Sequence, residues 1–260
     1  MRSMESYLVT GVAGFIGSGV AANIIERGDR VIGIDNLNDS YNKELKERRL
    51  YPLQSHNDAF TFLQMDVSDL ADFDGGIVSD EITAVIHLAA RAGVRQSVIN
   101  PSMYFESNVI GTLNVLEFIR RRNISKFVLA STSSVYGRQE SQPASETVES
   151  SFALSPYAAS KKAAEVLTYT YHHLYGINAT VLRFFTVYGP HGRPDMSIFK
   201  FIKAIVEGES LTLFGDGGKR DFTYIDDIVR GVLESLKLRG FNIINLGSDS
   251  PVAVLDIIKI

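Results

Sequence analysis

Residues 7 to 35 constrain the fold more than any other stretch. Tyr7-Leu8-Val9-Thr10 is a short apolar run that reads as a buried strand. It leads directly into Gly11-x-x-Gly14-x-x-Gly17, and Ile16, Val20 and Ile24 then recur at helical spacing to about Arg27. A second apolar run, Arg30-Val31-Ile32-Gly33-Ile34, ends in Asp35. Strand, glycine turn, helix, strand and terminal acid follow one another without a gap.

That order is the one a dinucleotide site requires. The first glycine allows a tight turn, the second lets backbone approach a pyrophosphate, and the third lets the helix pack close to the sheet. The helix N-terminus then turns its N–H groups toward the phosphates. Asp35 lies 18 residues beyond Gly17, where a ribose-binding carboxylate belongs. Its charge repels a 2′-phosphate, so NAD is expected rather than NADP. The competing reading is a tight turn that binds nothing.

The alternation continues. Residues 36–49 read as a loop and then a solvated helix. Residues 60–65 form a third strand ending at Asp66, which either bonds an adenine amino group or caps a helix begun by Ser68 and Asp69. Residues 84–88 form a fourth strand, with His87 packed in it; the small Ala89 and Ala90 after it let a cofactor lie close. Arg91 and Arg95 sit at that strand's carboxyl end, where ligands of open α/β sheets bind; they serve an anionic substrate or a solvated loop. Residues 104–122 read as one long helix, apolar on more than one face, which makes a two-fold homodimer the expectation. Asn108 on it lies near the cofactor or is a surface amide.

Phe127-Val128-Leu129-Ala130 is a fifth strand, and the hydroxyls Ser131, Thr132, Ser133 and Ser134 follow where it ends. Ser155 can cap a helix with Pro156 in its first turn, and Gly176 can close it. Tyr157 and Lys161 then share one face, a turn apart. A phenol has a pKa of about 10; a cation one turn away lowers it, so the tyrosine can take a proton from an alcohol. A bare Tyr-x-x-x-Lys is usually an ordinary surface pair, and only the dinucleotide motif upstream gives it chemical weight.

Residues 179–184 are a sixth strand, and 186–195 are rich in turn formers. A helix (197–208), a strand (211–214), a glycine-rich basic loop (215–221), a helix capped by Asp226 or Asp227, and a strand (241–246) complete the pattern. Arg193, Lys219 and Arg220 can grip a phosphate or carboxylate. The fold class expected is α/β: a doubly wound parallel (Rossmann) sheet over residues 1–185, and a smaller substrate-binding lobe over 186–260, part of it returning to the sheet.

Composition narrows the rest. A net charge of −4 gives no electrostatic case for nucleic acid. There is no cysteine, and the five histidines lack zinc-type spacing, so no metal site is expected. No apolar run is long enough to span a membrane. Residues 7–22 mimic a signal peptide, but Glu5 precedes them and four glycines interrupt them, so a cytoplasmic protein is expected.

Thr10-Gly11-x-x-Gly14-x-x-Gly17, Asp35-Asn36-Leu37, His87-Leu88-Ala89-Ala90, Tyr157-x-x-x-Lys161 and Arg220-Asp221-Phe222 together resemble the extended short-chain dehydrogenase/reductases, and within them the NAD-dependent nucleotide-sugar epimerases and dehydratases. The resemblance implies bound NAD, held by Gly11, Gly14, Phe15, Ile16, Gly17, Asp35, Asn36, Asp66, Val67, Leu88, Ala89, Ala90, Asn108 and Phe184, with Tyr157 and Lys161. It implies catalysis by Thr132, Tyr157 and Lys161 on a UDP-sugar. Dehydratases of the family carry Asp-Glu where Ser133-Ser134 stand here, decarboxylases a glutamate at Ser134, and UDP-glucose epimerases an asparagine at Thr186. Ser133, Ser134, Thr186 and Arg193, with Arg91, Arg95 and Arg220, therefore resemble the set that holds UDP-glucuronate for 4-epimerisation. UDP-glucose epimerisation, decarboxylation and a non-catalytic NAD-binding role are the alternatives. Family members continue past residue 260, so the substrate lobe is expected to be incomplete.

Overall fold

The computed structural model describes residues 3–69, 77, 81–138, 144–211 and 218–259. Strand β1 (Ser6–Thr10), helix α1 (Phe15–Glu26) and strand β2 (Arg30–Asp35) realise the opening pattern. Helix α2 (Lys43–Gln54), β3 (Phe60–Gln64), β4 (Ala84–His87), α3 (Val94–Ile99) and α4 (Pro101–Phe105) follow. A π-helical turn (Glu106–Ile110) joins α4 to α5 (Gly111–Arg121). Then come β5 (Lys126–Thr132), a 3₁₀ turn (Ser133–Tyr136), α6 (Pro156–Tyr175), β6 (Asn178–Phe184) and β7 (Thr186–Tyr188). Last are α7 (Ser197–Glu207), β8 (Lys219–Tyr224), α8 (Ile225–Ser235), β9 (Phe241–Leu246), β10 (Pro251–Ala253) and α9 (Val254–Lys259).

Among the described residues, seven strands form a parallel sheet in the order β3-β2-β1-β4-β5-β6-β9. The strand order reverses between β1 and β4, which opens a crevice at their carboxyl ends. Alternate residues of β1 feed opposite cores. Tyr7 and Val9 pack with α1, α2 and α8, while Leu8 packs with α5 and α6. Strand β9 pairs with β6 from Ala179↔Phe241 to Phe184↔Leu246, so this late segment does return to the main sheet. The short β7, β8 and β10 form a separate sheet. No helix among the described residues is long and apolar enough to cross a membrane.

The structure corrects several local expectations. The long helix expected over 104–122 starts at Pro101 and is broken by the π turn. Helix α2 is not merely solvated: Lys46, Arg49, Leu50 and Leu53 are buried along one face. Neither Asp226 nor Asp227 caps α8. Tyr224 holds the cap position, and the two acids lie in the first turn, where they favour the helix dipole. Lys219, Arg220 and Asp221 lie in a strand rather than a loop. The strand expected over 211–214 and the loop from 215 fall largely outside the described residues, as does the helix expected beyond Asp69.

Candidate active site

A cavity of about 420 Å³ opens at the carboxyl ends of β1, β2, β4, β5 and β6. Its floor on one side is the glycine turn. Gly11 adopts φ +74° and donates its N–H to the Ile34 carbonyl at 2.7 Å. A Cβ there would lie 2.7 Å from the Ala89 nitrogen, and one on Gly17 would lie 2.1 Å from the Gly11 carbonyl oxygen. Glycine is therefore forced at both positions by backbone meeting backbone. Gly14 occupies the N-cap of α1 with no side-chain cap, which leaves first-turn N–H groups to a ligand.

Asp35 ends β2 beside that turn. Its carboxylate accepts from Ala13 N (3.2 Å) and Leu37 N (2.9 Å), and Lys46 Nζ stands 3.7 Å away. Lys46 also donates to Asn38 Oδ1 at 3.0 Å; burial pushes its pKa down against the pull of Asp35. Asn36 donates to Asp66 Oδ2 at 2.7 Å, and Ser68 donates to Oδ1 through both N–H and hydroxyl. Burial raises the Asp66 pKa, but these bonds outweigh it and hold the group below the usual carboxylate range. Asp66 thus organises its own chain locally and still lines the cavity, as do Val67, Leu88, Ala89 and Ala90.

The opposite wall is built by β5 and α6. Thr132 ends β5 and caps the 3₁₀ turn through its hydroxyl, which accepts from Ser134 N at 3.2 Å. Ser155 caps α6 by accepting from Ala158 N at 3.1 Å, with Pro156 in the first turn and Gly176 closing the helix in the left-handed region. This geometry delivers Tyr157 and Lys161 to the same cavity as Thr132, Ser133, Ser134, Phe184, Thr186 and Arg193. The Tyr104 ring meets Tyr157 edge-on, with centroids 6.1 Å apart.

The electrostatics differ from the simple expectation. Burial pushes the Tyr157 phenol up; a hydrogen bond from Thr132 and the Arg193 charge pull it back without winning. The expected lowering of this phenol is therefore not its net shift. Burial instead lowers Lys161 itself to about 8, against support from Glu165 one turn on. A group that titrates at about 8 is still mostly protonated at neutral pH, so Lys161 remains a cation in the cavity that holds Tyr157.

Five expected residues, Asn108, Arg91, Arg95, Lys219 and Arg220, do not line the cavity. Asn108 is buried, and is no surface amide. Its side chain accepts from Arg91 N (2.8 Å) and donates to Arg91 O (3.0 Å) and Ser160 Oγ (2.9 Å), which ties the β4 exit to α6. The Arg91 guanidinium turns to Ser40 and Asp39. Arg95 lies exposed on α3, and Arg220 lies exposed on β8 beside the Lys219 carbonyl. Conversely, Ser40, Tyr41, Lys46 and Asp195 line the cavity and were not anticipated. The stripe Lys46, Arg49, Leu50, Leu53 at spacings of three and four was the available signal.

The glycine turn, Asp35 and the close approach of Ala89 fit a dinucleotide of the NAD type. The model of the NAD dependent epimerase/dehydratase family matches residues 7–247. UDP-glucuronate 4-epimerase of Thermodesulfobacterium geofontis is 53% identical over 259 residues, covering 99% of this chain and 80% of that protein. The crystal structure of UDP-glucuronic acid 4-epimerase from Bacillus cereus, in complex with UDP-glucuronic acid and NAD, is 37% identical with a TM-score of 0.87, covering 96% of this chain and 80% of that one. A UDP-glucose 4-epimerase from Thermotoga maritima, solved with UDP-glucose, is 32% identical with a TM-score of 0.85, covering 98% and 80%. The chain belongs to the NAD-dependent epimerase/dehydratase family.

Proposed function

We propose that this chain interconverts UDP-glucuronate and its C4 epimer, UDP-galacturonate, through a 4-keto sugar. The single observation that carries the reading is the joining, in one cavity, of the glycine turn and Asp35 with Thr132, Tyr157, Ser133, Ser134, Thr186 and Arg193. When bound by the turn and Asp35, NAD would supply a hydride acceptor and donor and a positively charged ring. Tyr157 takes the proton from the 4-hydroxyl and returns it after the keto sugar has turned over. Thr132 hydrogen-bonds the reacting oxygen and holds the phenol in line. Lys161 supplies positive charge beneath the phenolate as it forms. Ser133, Ser134, Thr186 and Arg193 hold the hexuronate carboxylate, which restrains loss of CO₂ from the β-keto acid intermediate.

Residues 1–185 serve chiefly the cofactor and 186–260 the substrate. The working unit is a homodimer: Phe105 and Ile110, with Val166 and Tyr169 of α6, expose apolar surface that suits a second copy. Incubation with UDP-glucuronate and chromatography of the products tests the activity. UDP-galacturonate is the expected product; a UDP-pentose would make the chain a decarboxylase, and no change would refute the epimerase reading. Sedimentation tests the dimer.

A further inference from the structure

Arg193 and Asp195 both line the cavity that holds Tyr157. The Asp195 carboxylate takes the guanidinium at two points, Nε to Oδ1 at 2.9 Å and Nη2 to Oδ2 at 2.6 Å. That planar, two-point contact is the one a guanidinium makes with any carboxylate. The two partners are unequally placed. The Arg193 side chain is 22% exposed and Asp195 41%, so the cation is anchored and the carboxylate stands on the open side. The other neighbours of Arg193, the Tyr41 ring and the Ala92 carbonyl, carry no formal charge. Its charge also reaches Tyr157.

We propose that Asp195 is a built-in stand-in for the substrate carboxylate, filling the Arg193 fork until an acidic sugar displaces it and so setting the preference between acidic and neutral sugars. This rests on the UDP-glucuronate reading above. An acidic sugar exchanges one carboxylate for another, and Arg193 stays paired throughout. A neutral sugar has nothing to exchange, so it binds beside an unbroken ion pair. Partly exposed ion pairs are weak, so the swap is easy, and the stand-in acts as a mild competitor.

The test is Asp195→Asn in the whole NAD-loaded protein, with dissociation constants for UDP-glucuronate and UDP-glucose measured by calorimetry. UDP-glucose controls for the general effect of removing a negative charge near a diphosphate. The expected result is a gain of about two- to fivefold for UDP-glucuronate relative to UDP-glucose. Asp195→Ala, which also removes the amide, gives the same direction. An unchanged ratio, or a loss for UDP-glucuronate, means that Asp195 props Arg193 for the substrate, and overturns the proposal while leaving the epimerase reading intact. If UDP-glucuronate does not bind the unaltered protein at all, the epimerase reading fails and this inference falls with it.

Discussion

Glu165 of α6 and Arg183 of β6 form a two-point ion pair, with Nε to Oε1 at 2.9 Å and Nη2 to Oε2 at 2.7 Å. Both side chains are buried. Ser131, the neighbour of Thr132, donates to the same carboxylate at 2.6 Å, and the Tyr136 ring covers the guanidinium at 4.7 Å. The pair therefore clamps β5, β6 and α6, which between them carry Thr132, Tyr157 and Lys161.

Glu165→Gln leaves the buried Arg183 without its counter-ion, whereas Arg183→Met leaves Glu165 only the more exposed Lys162, 3.3 Å away. Arg183→Met or Glu165→Gln alone is expected to cost about 3–5 kcal/mol, and the double variant markedly less than the sum. Urea denaturation of the two single variants and the double variant measures this; additive losses would show that the pair does not act as a unit.

Gly17→Ala places a methyl 2.1 Å from the Gly11 carbonyl oxygen, a contact that only a backbone shift relieves. The turn and the start of α1 must move apart, and overpacking of this kind costs about 1–3 kcal/mol. The expected outcome is a folded protein that loses its dinucleotide. The nucleotide released on denaturation, quantified by absorbance, reports it; full retention would show that the turn does not grip the cofactor.

His87 makes folding acid-sensitive. Thr112 donates its hydroxyl to the Asn108 carbonyl at 2.6 Å, so its oxygen accepts from Nε2–H of His87 at 3.1 Å, and Nδ1 accepts from the Thr10 hydroxyl at 2.7 Å. Burial, with the Lys161 charge, holds this imidazole neutral and lowers its pKa from 6.5 to about 3. The unfolded chain therefore binds the proton more readily. Stability linked to His87 is complete above about pH 6.5 and is lost as pH falls toward about 3, up to a few kcal/mol. Urea midpoints between pH 7 and 4.5 should fall less steeply for His87→Gln than for the unaltered chain; parallel slopes would contradict the assignment.

The parallel sheet was legible because its central strands are buried on both faces and read as uninterrupted apolar runs, as in 84–86 and 127–130. Gly11, Asp35 and Thr132 were legible because each sits at the end of a strand, and Tyr157 because Ser155 and Pro156 mark the start of its helix. The π turn at 106–110 was not. It is fixed by a tertiary anchor, the bonds of Asn108 to Arg91 and Ser160, that leaves no period in the sequence. Arg49 was missed because charge was read as solvation, whereas its guanidinium is spent on the Ala13 and His191 carbonyls. Arg220 was expected at the substrate because its loop reads as glycine-rich and basic, but the strand it occupies leaves it exposed.

Turnover of Tyr157→Phe tests the acid–base claim most directly. The substitution removes one oxygen, so the chain should fold normally and keep its nucleotide. UDP-glucuronate turnover should fall by about a hundred- to ten-thousand-fold at neutral pH. A rate close to that of the unaltered protein, with nucleotide still bound, would contradict proton transfer by this phenol.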